Sequence, residues 1–356
     1  MPQALRKAAP FLVLAGLALM PRRQTRARVS ARAPQLSGLG TEPGRGREAD
    51  APHQIPLRGW WDILIRTWKE FKEDQASLVA AGVTFYTLLA IFPALGAFAA
   101  LYGLFADITD VQRHLALLSP ILPPDALQFV GEQLVRLSAG NEGRLSLAFV
   151  GGVLLSIWSA NGATKAMLTA MNIAYEESEK RSLVRQTATS LAFTVGYLLF
   201  GLSAVLVLAI PPAIEPYAGT AAATLFRWIA YPLLLAMVGT ALALLYRFGP
   251  SRRPAKWRWI SLGAAAALIL WLAAAAAFSI YVANFAHYDR TYGSLGAVIG
   301  FLMWLYVSAI VVLLGAELNA EMEHQTVRDS TIGPELPMGA RGAVMADTVG
   351  APQRLL

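Results

Sequence analysis

The chain has 356 residues, of which 56% are hydrophobic and only 15% charged, with a net charge of +7 and a mean hydropathy of +0.48. That is too apolar for an ordinary water-soluble domain. There is no cysteine, which excludes disulfides, thiolate metal sites and cysteine nucleophiles, and the four histidines, His53, His114, His287 and His324, form no HExxH or HxH pair.

Residues 1–55 read as a basic, disordered tail. Arg22, Arg23, Arg26, Arg28, Arg32, Arg45 and Arg47 are interleaved there with Pro, Gly and Ser, a composition that cannot bury a core. Within it, the apolar run from Phe11 to Met20 follows Arg6 and Lys7 as a signal-like segment would. It is too short to span a bilayer and lacks a small-residue cleavage site. The alternative is a cytoplasmic tail with a start assigned upstream of Met20. From Leu57 to Asp74, the residues Leu57, Trp60, Trp61, Leu64, Trp68 and Phe71 recur every three or four positions, opposed by Arg58, Asp62, Lys69, Lys72 and Glu73. This predicts an amphipathic helix lying in the headgroup layer.

The first span runs from about Ala76 to Phe105, with Pro93 predicted to kink it near Leu89. Ser77, Thr84, Tyr86 and Thr87 make its cytoplasmic half the more polar one, an arrangement found both in transport sites and in plain packing. Residues 106–144 predict an extracytoplasmic helical hairpin. Its second helix starts at Pro123-Pro124-Asp125 and shares Leu127, Val130, Leu134 and Leu137 on one face.

A second span, Leu145 to about Ala163, carries a small-residue face of Gly151, Gly152, Ser156, Ser159, Ala160 and Gly162 and continues toward Tyr175. The third runs from Thr189 to Ile210 and stops at Pro211-Pro212; the fourth from about Trp228 to Tyr246; the fifth from Ile260 to Ala283. The sixth, Leu295 to Leu314, has no formal charge over a length that matches a ~30 Å hydrocarbon core. Gly293 with Ala297, and Gly296 with Gly300, give it a face for close helix approach. Its helix formers continue through Glu317 and Glu321.

Basic residues concentrate before span one, between two and three, between four and five, and after six. The expected fold is therefore an all-α polytopic membrane protein with six transmembrane helices in one bundle and both termini cytoplasmic. Residues 56–325 would form the membrane domain and 326–356 a disordered C-terminal tail.

Three segments resemble the YihY/BrkB family of bacterial inner-membrane proteins. They are Gln75-Ala76-Ser77 with Thr84 to Pro93; Trp158-Ser159-Ala160-Asn161-Gly162 with Leu168 to Tyr175; and Tyr288 to Ala297 with Gly315 to Glu321. The resemblance covers about residues 57–325. It implies a six-helix inner-membrane fold, and a role in moving envelope lipid or lipopolysaccharide is suspected for some members. It also brings an old name, ribonuclease BN, later regarded as mistaken, and supplies no catalytic residue.

A nuclease would need a metal cluster or a His acid/base pair. Glu317, Glu321 and His324 share a helical face, but the chain has no second Glu-x-x-His to complete a di-metal site. No catalytic residue, metal or cofactor is expected, and the protein is not expected to be an enzyme. The candidate polar and kink positions are Ser77, Thr84, Tyr86, Thr87, Pro93, Asn161, Lys165, Asp289, Arg290 and Glu317. Glu317 is expected to pair with a base, Lys165 first, while Asp289 and Arg290 would brace the turn into the last span. Transport or flipping of a lipid-like amphiphile is the leading reading. A non-transporting scaffold for envelope proteins is the alternative. Membrane lipids, a second copy or envelope proteins are the expected partners, and nucleic acid is not.

Overall fold

The computed structural model describes residues 42, 44–103, 147–285 and 295–353. All of them belong to one compact unit. After a 3-10 turn at Pro52–Gln54, the elements in order are α1 (Leu57–Glu73), α2 (Ala76–Gly103), α3 (Leu147–Ala174), α4 (Leu183–Phe248), α5 (Trp257–Phe285), α6 (Leu295–Glu323) and a short α7 (Val344–Asp347). Among the described residues there is no strand, only an isolated bridge between Ala255 and Thr331. The hairpin expected over 106–144, and Asp289 and Arg290, lie outside the described residues.

Five stretches are long and apolar enough to cross a membrane: Ala76–Phe98, Leu183–Leu208, Glu215–Phe248, Trp257–Tyr281 and Val298–Glu323. Their outer sides expose large apolar groups such as Leu206, Trp228, Ile229, Ile269 and Ile280, a surface that water would not tolerate and lipid does. α3, the expected second span, is 28 residues long. It makes the most extensive helix–helix contact of the fold, with α2.

α1 turns its faces in an informative way. Gly59, Asp62, Ile63, Arg66 and Thr67 point inward, while Leu57, Trp61, Leu64 and Trp68 stand exposed. Much of the expected apolar stripe thus faces outward, and of the expected polar face only Asp62 turns against the protein, while Arg58, Lys69, Lys72 and Glu73 are exposed. Lys72 lies 4.7 Å from the Trp68 ring, a cation–π contact suited to the headgroup layer. α2 follows after Gln75, which adopts a left-handed conformation at φ 50. It runs helical through Pro93 to Gly103, so the proline does not break it.

The third and fourth expected spans form one helix assignment. Ser182 caps its start by accepting from the Arg185 N–H. The helix passes through Pro211-Pro212, and the break falls instead at Gly219 (φ 79, ψ 167). Only glycine takes that conformation freely, which is why the chain divides there into two limbs.

The main apolar core sits toward one end of the bundle. It joins Ala80 and Val83 of α2, Met171 of α3, Tyr246 of α4, Ile260 and Ala264 of α5, and Leu313 and Ala316 of α6. The close approach in that core is between α5 and α6. The Gly263 N–H donates to Asn319 Oδ1 at 3.1 Å, and a Cβ at Gly315 would lie 2.7 Å from Ala267 Cβ. By contrast, Gly151, Gly152, Gly162 and Gly300 have nothing within 4 Å of where a Cβ would stand. Those four glycines are not the ones that bring helices together, whereas Ala160 of the α3 face is buried and Ser156 Oγ would lie 3.7 Å from a Cβ at Gly96 of α2.

The disordered tails need correction. Residues 44–55 and 325–353 lie across the basic end of the bundle. Arg47 donates to Gly350 O at 2.8 Å and Val327 N to Arg47 O at 2.7 Å. Arg45 pairs with Asp62 at 2.6 Å, and the Gln353 N–H reaches the same carboxylate at 2.9 Å. Arg66 pairs with Glu321 and donates to Gln325 Oε1 at 2.7 Å. Arg341 is buried and donates to Ala346 O and Val327 O at 2.6 and 2.7 Å. Order here comes from arginines satisfying backbone carbonyls, charge-assisted bonds stronger than neutral ones, rather than from a periodic apolar face.

Candidate functional site

The connection after α3 carries Lys180 and Arg181, the connection after α4 carries Arg252, Arg253 and Lys256, and one side chain ties the two together. Asn172 accepts from the Ser251 N–H at 2.7 Å and donates to Glu179 at 3.2 Å. Ser251 Oγ in turn accepts from the Lys180 N–H at 2.9 Å. Residues 71 and 79 positions apart in sequence are thereby held side by side.

Above this clamp, between the two limbs of α4, lies a cavity of about 1000 Å³. Ala192, Phe193, Gly196, Tyr197 and Phe200 of the first limb form one wall, and Leu233, Ala236, Met237, Ala241 and Leu244 of the second form the other. The mouth is lined by Lys180, Arg181, Arg185, Arg247, Arg252 and Arg253, with no carboxylate among the lining residues.

Four of the five mouth arginines are held by part of the guanidinium only. Arg181 donates to Gly249 O and lies 3.3 Å from Glu179; burial holds its guanidinium below the ordinary arginine value. Arg247 stands over Trp257, 4.0 Å from the ring centroid, and 5.3 Å from that of Phe248. Arg252 pairs with Glu323, both side chains being fully buried, and stands 4.5 Å from the Tyr175 ring. Burial opposes its charge, but Glu323 more than compensates, and its pKa is raised. Arg253 donates to Pro334 O at 3.4 Å. What remains is a set of buried N–H groups without acceptors: Arg181 Nη1, Arg247 Nε and Nη1, Arg252 Nε and Nη1, and Arg253 Nη1. An apolar slot whose mouth carries six cationic side chains and no carboxylate can hold a molecule with an apolar tail and an anionic head.

The polar positions singled out in the sequence do not line this cavity. Thr84 and Thr87 donate back to Ala80 O and Val83 O, both at 2.8 Å, which occupies their protons within α2. Ser77 and Tyr86 are exposed, and Pro93 is half-buried in α2. Asn161 is buried between α3 and α4, with Oδ1 3.0 Å from the Thr194 hydroxyl, which lies 2.8 Å from that of Thr164.

The expected Glu317–Lys165 pair does not form. Lys165 is exposed and sits 5.4 Å from the Trp158 ring, whereas Glu317 is buried with Oε2 unpartnered. The lysine's long stem lets it reach outward, so it needs no acid. Lys165→Met is accordingly expected to leave the melting temperature in detergent unchanged, and a fall of several degrees would restore the pair.

Glu317 instead neighbours other acids where α1, α3 and α6 meet. Burial, then Glu321, Glu176, Glu73 and Asp74, push Glu70 up to about 7. Burial, then Glu176 and Glu73, push Asp74 up to about 6. Both carboxyls hold protons in the folded state that the unfolded state has released, so their contribution is full at about pH 4 and is lost as pH rises through 6 to 7. Melting temperature should therefore fall between pH 5 and pH 8, and Glu70→Gln should flatten the slope. An unchanged slope in that variant would mean that Glu70 titrates as a free acid.

Glu321 is engaged by Arg66, and His324 Nδ1 lies 3.4 Å from it. Among the described residues, no group of three or more His, Asp or Glu is placed to hold a metal.

Residues 67–337 match the family described as Virulence factor BrkB. The chain is 31% identical over 267 residues to a ribonuclease-like protein, YfkH, of Bacillus subtilis, covering 72% of this chain and 94% of that one. It is 29% identical to a UPF0761 membrane protein of Rhodospirillum centenum over 78% of this chain and 61% of that one. It is 23% identical to another of Haemophilus influenzae over 72% and 93%. No solved structure matches. With the match extending from α1 past α6, the chain belongs to the Virulence factor BrkB family of membrane proteins.

Proposed function

We propose that the protein moves a lipid-like amphiphile within the bacterial inner membrane, without catalysing a covalent reaction. The observation that supports this reading is the cavity between the limbs of α4, with apolar walls and an arginine mouth. A tail inserted between the limbs would stay in an apolar medium while its head met the basic end, so that neither part of the molecule is forced into the wrong solvent. α3 serves as the sixth span, which puts both termini and the arginine mouth on the cytoplasmic side, as the distribution of basic residues favours. The exposed Trp61 and Trp68 stripe of α1 then lies in the same headgroup layer.

The test is reconstitution of the purified full chain into vesicles carrying a fluorescent phospholipid in both leaflets. Wild type is expected to expose inner-leaflet label to an external quencher. Gly196→Trp should not, because its side chain projects into open space between the limbs. Equal exposure by both proteins, with insertion intact, would discard the cavity as the path. No exposure by either, together with co-purifying envelope proteins, would favour the scaffold. For topology, cysteines introduced at Glu132 and Arg253 of this cysteine-free chain should react from outside and be protected, respectively.

A further inference from the structure

We infer that the mouth of the α4 cavity is a receptor for a phosphate ester, so that the amphiphile it takes is an anionic phospholipid rather than a neutral or carboxylate one; this rests on the amphiphile reading above. The first argument is charge. Six cationic side chains and no carboxylate line the cavity. Among the described residues Arg185, Arg247 and Arg253 make no ion pair, and Lys180, Arg181 and Arg252 each have one acid, set outside the lining. Buried positive charge without a counter-charge is costly, and the bound head is the group that can supply it.

The second argument is the number and kind of donors. Five of the six mouth cations are arginines, each a planar fork of N–H donors. A carboxylate offers two oxygens. A phosphate ester offers two or three non-bridging ones, each able to accept from more than one N–H, and the planar fork of arginine matches that geometry in pairs. The mouth is also pre-organised. Trp257 at 4.0 Å and Phe248 at 5.3 Å fix the plane of Arg247. Gly249 O and Glu179 fix Arg181, and Glu323 fixes Arg252. Held donors lose little side-chain freedom on binding. Immediately behind them, the apolar slot takes a chain as long as the wall between Phe193 and Phe200 allows.

The experiment measures binding of four probes to the full chain in a non-ionic detergent: didecanoyl phosphatidic acid, didecanoylglycerol, decanoate and inorganic phosphate. Phosphatidic acid is expected to bind at least about tenfold tighter than each of the others, since only it uses both the donors and the slot. Arg247→Gln and Arg181→Gln should each weaken phosphatidic acid by about tenfold or more and the glycerol far less, while Arg247→Lys keeps part of the affinity. Gly196→Trp should weaken phosphatidic acid and the glycerol together. Melting temperature verifies that each variant is folded, and the two glutamine variants test the mouth independently. If phosphatidic acid, the glycerol and decanoate bind alike and both glutamine variants are silent, the phosphate inference falls and the amphiphile reading stands. If inorganic phosphate binds as tightly as phosphatidic acid, the mouth is an anion site only and both fall. If no probe binds, both fall as well.

Discussion

Glu323→Gln is expected to destabilise the protein by about 3–5 kcal/mol, because it leaves a buried guanidinium without its counter-charge. Glu323 ends α6 and Arg252 follows α4, and neither side chain is exposed. The Ser330 hydroxyl donates to the second carboxylate oxygen at 2.6 Å, so the same residue also anchors the C-terminal segment. A glutamine amide can keep one acceptor for Ser330 but cannot neutralise Arg252. Thermal or denaturant unfolding in detergent gives the measurement. Combining Glu323→Leu with Arg252→Met should recover part of the loss, since two apolar groups of similar size no longer demand a charge partner. That double variant would also lose one mouth donor and so bind anionic lipid less well. If Glu323→Gln unfolds with the wild type, water reaches the pair.

The second large effect is expected from adding a single methyl group where α5 meets α6. In Gly263→Ala the new Cβ would overlap the Asn319 carboxamide, lying 2.6 Å from its Nδ2, while that group accepts from the Gly263 N–H. In Gly315→Ala it would stand 2.5 Å from Tyr246 Oη and 2.7 Å from Ala267 Cβ. Overpacking of this kind costs about 1–3 kcal/mol, and the loss of the Asn319 hydrogen bond adds about 1 kcal/mol. Gly300→Ala, on the same helix with open space around it, is expected to be neutral. A similar gain at all three positions would show that helix propensity rather than contact governs these glycines.

That contrast shows where the sequence is informative. Uninterrupted apolar runs of the right length locate the helices well, because lipid forces every backbone group into an internal hydrogen bond. The amphipathic stripe of α1 was legible for the same reason of periodicity. Which glycine touches a neighbour was not, since Gly300 and Gly315 look alike until the crossing point of α5 and α6 is known. The cavity was hidden for a related reason. Arg181 and Arg185 lie in one connection and Arg247, Arg252 and Arg253 in the next, and charge in such loops reads as a topology signal. The sign available in the sequence was Asn172 at the end of α3, a polar side chain buried among apolar ones that clamps the two connections. The ordered segments at 44–55 and 325–353 escaped because a Gly- and Pro-rich composition gives no periodic signal, and their partners are carbonyls, which every residue has.

The lacing of residues 325–353 across the basic end has a consequence for how the chain is made. A ribosome delivers this segment only after α6 has emerged, yet it supplies Gln325 and Ala351 O to Arg66, Gly350 O to Arg47, and Gly342 to the rim beside Arg253. Until synthesis finishes, those arginines face solvent or anionic headgroups. Reporter fusions placed directly after Glu323 would therefore insert into the bilayer correctly and still be released without a finished basic mouth. A reporter meant to follow a working protein belongs beyond Gln353.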